Sequence, residues 1–336
     1  MSHSRREFLK TAAASATFAA APLTLATAAA AGSEQSPAPN HIATLFQNLP
    51  GEVAFKIFVP PVNGRLGFTA SSNSNKMLFV ASAIKTYVLC EAMRQADAPN
   101  IDEALEEKRL ALNSTVWSFG SPSFTPEDLS GTVSERTTME AMITRSDNTA
   151  TDMMFKLAGA NNVRTFISSI GLTNTLVPDS TRALTAYVFG APNYLTITWD
   201  ELQEVVKGKL VHPFLNNVET LASSADDFVS YYSRALQGQF FKHAATLNEF
   251  RRILTLCDFI YLIPVPLGVS AYAKSGNADI PGFHARSFAG GMFFGDRWAY
   301  FAFIINWDAA SPEDPQTVHQ FFAAINRTLT VIRDTL

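Results

Sequence analysis

Strand-type sequence stands at both ends of this chain and helix-type sequence fills the middle. That order restricts the fold more than any other feature. Residues 52–59 (EVAFKIFV) are β-branched and aromatic, and 66–70 (LGFTA) form a second, weaker strand. Pro60-Pro61-Val62-Asn63-Gly64 between them reads as a hairpin turn. In the last third, 269–275, 287–294 and 298–307 read as strands, the last two joined by Gly295-Asp296-Arg297. The interval between follows a helical period. It covers 77–93 and most of 100–175, where 137–144, 149–157 and 161–170 are distinct helices and Gly171 ends the third. Further helices are predicted at 198–209, 225–236 and 246–256, with Thr198 as an N-cap ahead of an acidic first turn. Residues 183–193, with aromatics, Gly and Pro, read as a surface loop. Residues 315–336 close the chain as a helix with Phe321, Phe322, Ile325, Leu329 and Ile332 on one side. The predicted fold is therefore a three-layer α/β (α+β) architecture. One antiparallel sheet takes strands from both ends of the chain and is flanked by helices, and an all-helical lobe is inserted at about 95–260.

The chain can afford such a core: of 336 residues 47% are hydrophobic and only 17% charged. A net charge of −4 and the absence of a long basic run exclude nucleic acid as an expected partner. The first residues differ in kind from the rest. Ser4-Arg5-Arg6-Glu7-Phe8-Leu9-Lys10 precedes an Ala/Thr/Leu-rich stretch, and Ala29-Ala30-Ala31 offers a small-residue cleavage site. This is the pattern of a twin-arginine export signal. It gives a signal peptide at 1–31, a Ser/Pro/Gly-rich linker at 32–44 and one domain at 45–336. The twin-arginine export machinery is the expected partner, and the periplasm or exterior the expected location. Pro22 and the Thr content make the leader a poor permanent span, and no later segment offers about 20 uninterrupted apolar residues. Stable membrane insertion is not expected. No His/Cys cluster has metal-ligand spacing, so neither metal nor cofactor is implied. Cys90 lies in an apolar helix and reads as a buried thiol; whether it pairs with Cys257 is open. His212, His243, His284 and His319 read as surface or capping residues.

Three short motifs fall in order: Ser82-Ala83-Ile84-Lys85, Ser146-Asp147-Asn148 and Lys274-Ser275-Gly276. Each alone has a bland reading, as a capping Ser beside a solvated Lys, a polar turn between helices, or a strand end. Together they match the S-x-x-K, S-D-N and K-[TS]-G set of acyl-transferring serine enzymes. Ser82 and Lys85, three apart in a helix, share a face.

Over residues 45–336 the chain resembles the class A serine β-lactamase and penicillin-binding transpeptidase family. FVASAIKTYVLCEAM, MITRSDNTATDMMFKLAG and YAKSGNADIPG carry the likeness. The resemblance implies an exported serine hydrolase that forms an acyl-enzyme on Ser82, with β-lactam ring hydrolysis as the leading activity. It implies Lys85 as the base, Ser146 as the proton relay to the leaving group, and Lys274 as positive potential that also orients Ser146. Asn148, Ser275, Gly276 and Asn277 would bind substrate, with the backbone N–H groups of Ser82 and Asn277 as oxyanion hole. The substrate implied is a small β-lactam or related amide or ester bearing a carboxylate. One departure stands out. The family's deacylating Glu, carried by a loop after the S-D-N helix, has no counterpart, because 172–190 contain no Glu. Asp179 is the one carboxylate there, as a shorter base or simply part of a Pro-Asp-Ser turn. A non-β-lactam esterase or peptidase, or a slowly deacylating penicillin-binding protein, are the alternatives this departure leaves.

Overall fold

A computed structural model describes residues 39–257, 260, 265, 268–280 and 282–336. The export signal and the first part of the linker lie outside the described residues. Helix α1 (Pro39–Thr44) leads into a hairpin of β1 (Glu52–Val59) and β2 (Phe68–Ser72), turned by the Val62↔Arg65 bridge. Ile42 and Phe46 are already packed in the core. At the other end stand β7 (Ser270–Ile280), β8 (Phe283–Phe293), β9 (Trp298–Trp307) and the last helix, α11 (Pro315–Thr335). The two ends join as the sequence order requires. The sheet runs β2-β1-β9-β8-β7, antiparallel throughout, with Phe55 opposite Phe303 at the seam between N- and C-terminal strands.

β9 is buried along nearly its whole length and alternates its two faces. Phe301, Phe303 and Ile305 face α1 and α11, while Tyr300, Ala302 and Ile304 face the helical lobe. On α11, Phe321, Ile325, Leu329 and Ile332 recur at helical spacing and are buried on the first face. Each such side chain contributes about 1.5–3 kcal/mol. That exceeds any difference in intrinsic helix propensity, so packing holds this helix in place.

The lobe is built around α2 (Lys85–Gln95), whose residues from Lys85 to Met93 are all buried. A helix buried on every face must lie at the centre, and the lobe's other helices pack against it or against one another. They are α3 (Ile101–Glu107), α4 (Glu135–Thr144), α5 (Asn148–Ala158), α6 (Ala160–Ser169), α7 (Thr181–Val188), α8 (Trp199–Val205), α9 (Ala225–Ala235) and α10 (Ala244–Thr255). Two small sheets lie within the block: β4 (Arg109–Leu112) with β5 (Gly131–Ser134), and β3 (Leu78–Phe79) with β6 (Ala222–Ser223).

Three expectations need correction. The predicted surface loop at 183–193 begins inside helix α7. Ser180 caps it by accepting from Ala183 N, and Ala183, Leu184, Ala186 and Val188 are buried at helical spacing. The interval 100–175 is not wholly helical, since β4 and β5 pair there. His284 is neither exposed nor capping. It is fully buried, with Nδ1 3.0 Å from Asp279 Oδ1 and Nε2 3.0 Å from the Ser311 carbonyl. Two polar partners let an imidazole occupy an interior position. Both cysteines are buried, and no disulfide joins them among the described residues.

Candidate active site

The first motif does not open a regular α-helix. Residues Ala81–Ile84 form a 3₁₀ turn that passes into α2 at Lys85. A 3₁₀ turn has three residues per turn, so i and i+3 eclipse and Ser82 stands directly over Lys85. Ala81, Ala83, Ile84 and Lys85 are buried, and Ser82 alone keeps partial exposure. Ala81 holds φ at +46°, a left-handed conformation rare for a residue with a Cβ.

A fully buried ammonium is tolerated only if its N–H groups find acceptors. Lys85 Nζ donates to the Ser146 carbonyl, to Asn148 Oδ1 at 2.7 Å, and more weakly to Ser146 Oγ at 3.4 Å. Ser146, at φ +54°, turns its carbonyl inward to meet it. Asp147 does different work. It caps α5 by accepting from Ala150 N, and its other oxygen accepts from Ser123 N and Phe124 N, all at 2.8 Å. That ties the 118–124 loop to the motif. Asn148 is fixed at both ends of its amide, since Nδ2 donates to the Phe119 carbonyl at 2.7 Å. Gly120 lies against that amide, where an added Cβ would stand 2.8 Å from Asn148 Nδ2.

The third motif lies on edge strand β7. A Cβ on Gly276 would come within 2.1 Å of the Val80 carbonyl oxygen and 2.8 Å of Ala83 N. Only glycine lets the strand press against the turn that carries Ser82. Lys274 is fully buried and donates to the Ser275 carbonyl at 3.1 Å. No hydrogen bond joins it to Ser146 among the described residues. Ser275 is buried, and its Oγ accepts from the Cys257 thiol at 3.9 Å. Asn277, half-buried, follows opposite Arg286 of β8. The first two motifs are thus joined by hydrogen bonds, and the third reaches the first through backbone contact.

Asp179 stands apart from this cluster in its bonding. Arg164 Nη2 donates to its Oδ1 at 2.8 Å, and its backbone N–H donates to Glu219 Oε2 at 2.9 Å. Burial and the neighbouring Asp179 carboxylate push Glu219 up to about 7. A second perturbed carboxyl was not legible as a site residue in the sequence. Asp152, one turn beyond Asn148 on α5, is buried, and burial pushes it up to about 6 although three donors oppose the rise. Those donors are Thr181 N (2.6 Å), Thr181 Oγ1 (2.8 Å) and Arg182 N (3.0 Å), so Asp152 pins the start of α7 to the helix that carries Asn148. Its only sequence signal is the i+4 spacing from Asn148. Among the described residues no group of His, Cys, Asp and Glu is arranged to hold a metal. No described helix is long and apolar enough to cross a membrane.

The fold is that of the β-lactamase/transpeptidase class. The chain belongs to the beta-lactamase enzyme family, whose profile it matches over residues 24–329. Among solved structures it is similar to PBP-A, with 17% identity and a TM-score of 0.62 over 87% of this chain and 95% of that one. A β-lactamase from Chitinophaga pinensis gives 15% identity and a TM-score of 0.61, covering 88% and 97%. A class A β-lactamase from Mycobacterium abscessus gives 14% and 0.63, covering 88% and 99%. No curated protein matches the chain in sequence.

Proposed function

We propose that the chain is an exported serine hydrolase that opens β-lactam rings through an acyl-enzyme on Ser82. The observation that carries the reading is the buried Lys85 amino group. It stands one 3₁₀ turn below Ser82 and is bonded to both Ser146 and Asn148. In the neutral form Lys85 takes the Ser82 proton as Oγ attacks the lactam carbonyl carbon. The C–N bond then breaks and Ser146 passes a proton to the leaving nitrogen. The backbone N–H groups of Ser82 and Asn277 hold the oxyanion, and Asn148 binds the substrate amide. Lys274 and Ser275 supply positive potential and a hydroxyl for a substrate carboxylate. Water then hydrolyses the ester. Residues 1–31 direct export through the twin-arginine route, and the periplasm or exterior is where the enzyme meets its substrate and protects the cell from the antibiotic.

A second reading, a penicillin-binding protein that deacylates slowly, is supported by one observation. The one carboxylate of the 172–190 segment, Asp179, is committed to Arg164. A PBP-A variant has been solved as an acyl-enzyme complex with penicillin G. Intact-protein mass spectrometry with a penicillin and a chromogenic cephalosporin, sampled from seconds to hours, decides between the two. A transient adduct with colour, absent in Ser82→Ala, is the expected result. A persistent adduct establishes the second reading. No adduct, with Ser82-dependent cleavage of simple esters, replaces both with a non-β-lactam hydrolase.

A further inference from the structure

We infer that Asn306 and Ser287 are positioning residues for the nucleophile. From the central sheet they grip the backbone of Phe79 and Val80 and so hold Ala81 in the left-handed conformation that presents Ser82. The inference rests on the reading of Ser82 as the nucleophile and adds two residues whose hydrogen bonds go to Phe79 and Val80 ahead of it.

The starting observation is Ala81. A buried alanine at φ +46° keeps that conformation only where its surroundings over-determine it. The residues before it are the determinant. Strand β3 is two residues long and has a strand neighbour, β6, on one side only, with Phe79 opposite Ala222. Val80 N donates to Leu221 O on that side at 2.8 Å. Alternation along a strand sends the N–H and C=O of Phe79 to the other side, where β3 has no strand partner. Both groups are met by one side chain. Phe79 N donates to Asn306 Oδ1 at 2.9 Å, and Asn306 Nδ2 donates to the Phe79 carbonyl at 2.8 Å. The amide thus stands in for a missing strand. Its second Nδ2 proton goes to the Ile305 carbonyl at 2.9 Å, so a flipped amide would face donor with donor and acceptor with acceptor.

Val80 is held as firmly. Its carbonyl accepts from Ser287 Oγ at 2.7 Å and from Ala83 N at 3.2 Å. Gly276 presses on the same carbonyl from β7. Asn306 and Ser287 are nearly buried, and their strands β9 and β8 are paired on both sides. The grip therefore belongs to the rigid sheet. Losing either side chain frees the turn to relax toward the right-handed conformation that alanine prefers. Ser82 then shifts against Lys85 and the edge of β7. Such a shift slows the chemical step more than it weakens substrate binding.

The test measures the acylation rate constant and the substrate dissociation constant separately, by rapid mixing of the full chain with a chromogenic cephalosporin. A fluorophosphonate that labels the active serine runs in parallel. Ser287→Ala and Asn306→Leu are expected to slow acylation and labelling at least tenfold with the dissociation constant changed less than twofold. The decisive variant is Ala81→Gly, because glycine adopts φ +46° without strain. Added to either variant, it is expected to restore several-fold of the lost rate. Should Asn306→Leu fail to fold, Ser287→Ala with its Ala81→Gly rescue carries the test. Folded variants that acylate at the wild-type rate overturn the proposal. So does a loss confined to the dissociation constant, or a loss that Ala81→Gly leaves unrelieved. A wild-type chain whose Ser82 takes neither probe removes the catalytic reading, and this proposal with it.

Discussion

Lys85 Nζ stands 2.7 Å from Asn148 Oδ1, so the helix that follows the Ser82 turn and the helix carrying the second motif meet at a buried amino group. The contact joins residues 63 apart in sequence. It gives Lys85 a fixed place under Ser82 and gives Asn148 one defined orientation.

Removing the Lys85 amine tests its role directly. Lys85→Ala is expected to slow acylation of Ser82 by roughly 10²–10⁴-fold, the usual worth of a positioned general base. The rate of adduct formation by intact-protein mass spectrometry reads this out. A near-normal rate removes Lys85 from the proton transfer.

Asn148→Ala removes one acceptor from Lys85 Nζ and one donor from the Phe119 carbonyl. Each intramolecular hydrogen bond lost costs about 0.5–1.5 kcal/mol. The variant is expected to unfold at lower denaturant with an unchanged slope, measured by urea titration.

Gly276→Ala would put a methyl group 2.1 Å from the Val80 carbonyl oxygen. The atom it meets is backbone, so β7 and the Ser82 turn must separate. Overpacking of this kind costs about 1–3 kcal/mol. Acylation is expected to fall with the melting temperature, a pairing that a remote overpacked site would not give.

Asp152 and Glu219 make the described structure sensitive to pH. Burial raises both folded-state values, to about 6 and about 7, above their unfolded values near 3.8 and 4.5. The native state therefore holds more protons than the unfolded chain in this window. Stability tied to these groups is fully present below the unfolded values and is lost as pH rises through 6 and 7. Melting curves from pH 4.5 to 8 are expected to show this decline. Glu219→Gln is expected to flatten its upper part, since the amide cannot ionise beside Asp179.

The two thiols give a simpler check. Cys90 and Cys257 are 0% and 4% exposed, and burial pushes the Cys90 thiol up. Neither is expected to react with a thiol reagent in the folded protein, and both should titrate after unfolding without reductant. Reaction of only unfolded, reduced chain would mean that they pair.

What the sequence determined by itself was whatever depends on neighbours in the chain. Strands 52–59 and 298–307 were legible from β-branched and aromatic runs, and they form β1 and β9 with those bounds. The cap of α8 was legible too, as Thr198 and Glu201 complete a capping box. The motif residues could be named because their chemistry demands particular side chains in a particular order. The tertiary structure decided what depends on distance. Helix α7 was misread because its polar and aromatic residues look like a loop until Ala183, Ala186 and Val188 find a surface to cover. His284 looked like a surface residue until Asp279, opposite it across the β7–β8 register, supplied a partner. Glu219, Ser287 and Asn306 carry no local signal, and Asp152 only its spacing from Asn148, because Thr181, Asp179, Val80 and Phe79, which they hold, lie 29 or more residues away and only packing brings them within reach. A hydrogen bond is set by geometry over about 3 Å. Sequence fixes that geometry between neighbours, and only the folded sheet and lobe fix it between residues as far apart as Phe79 and Asn306.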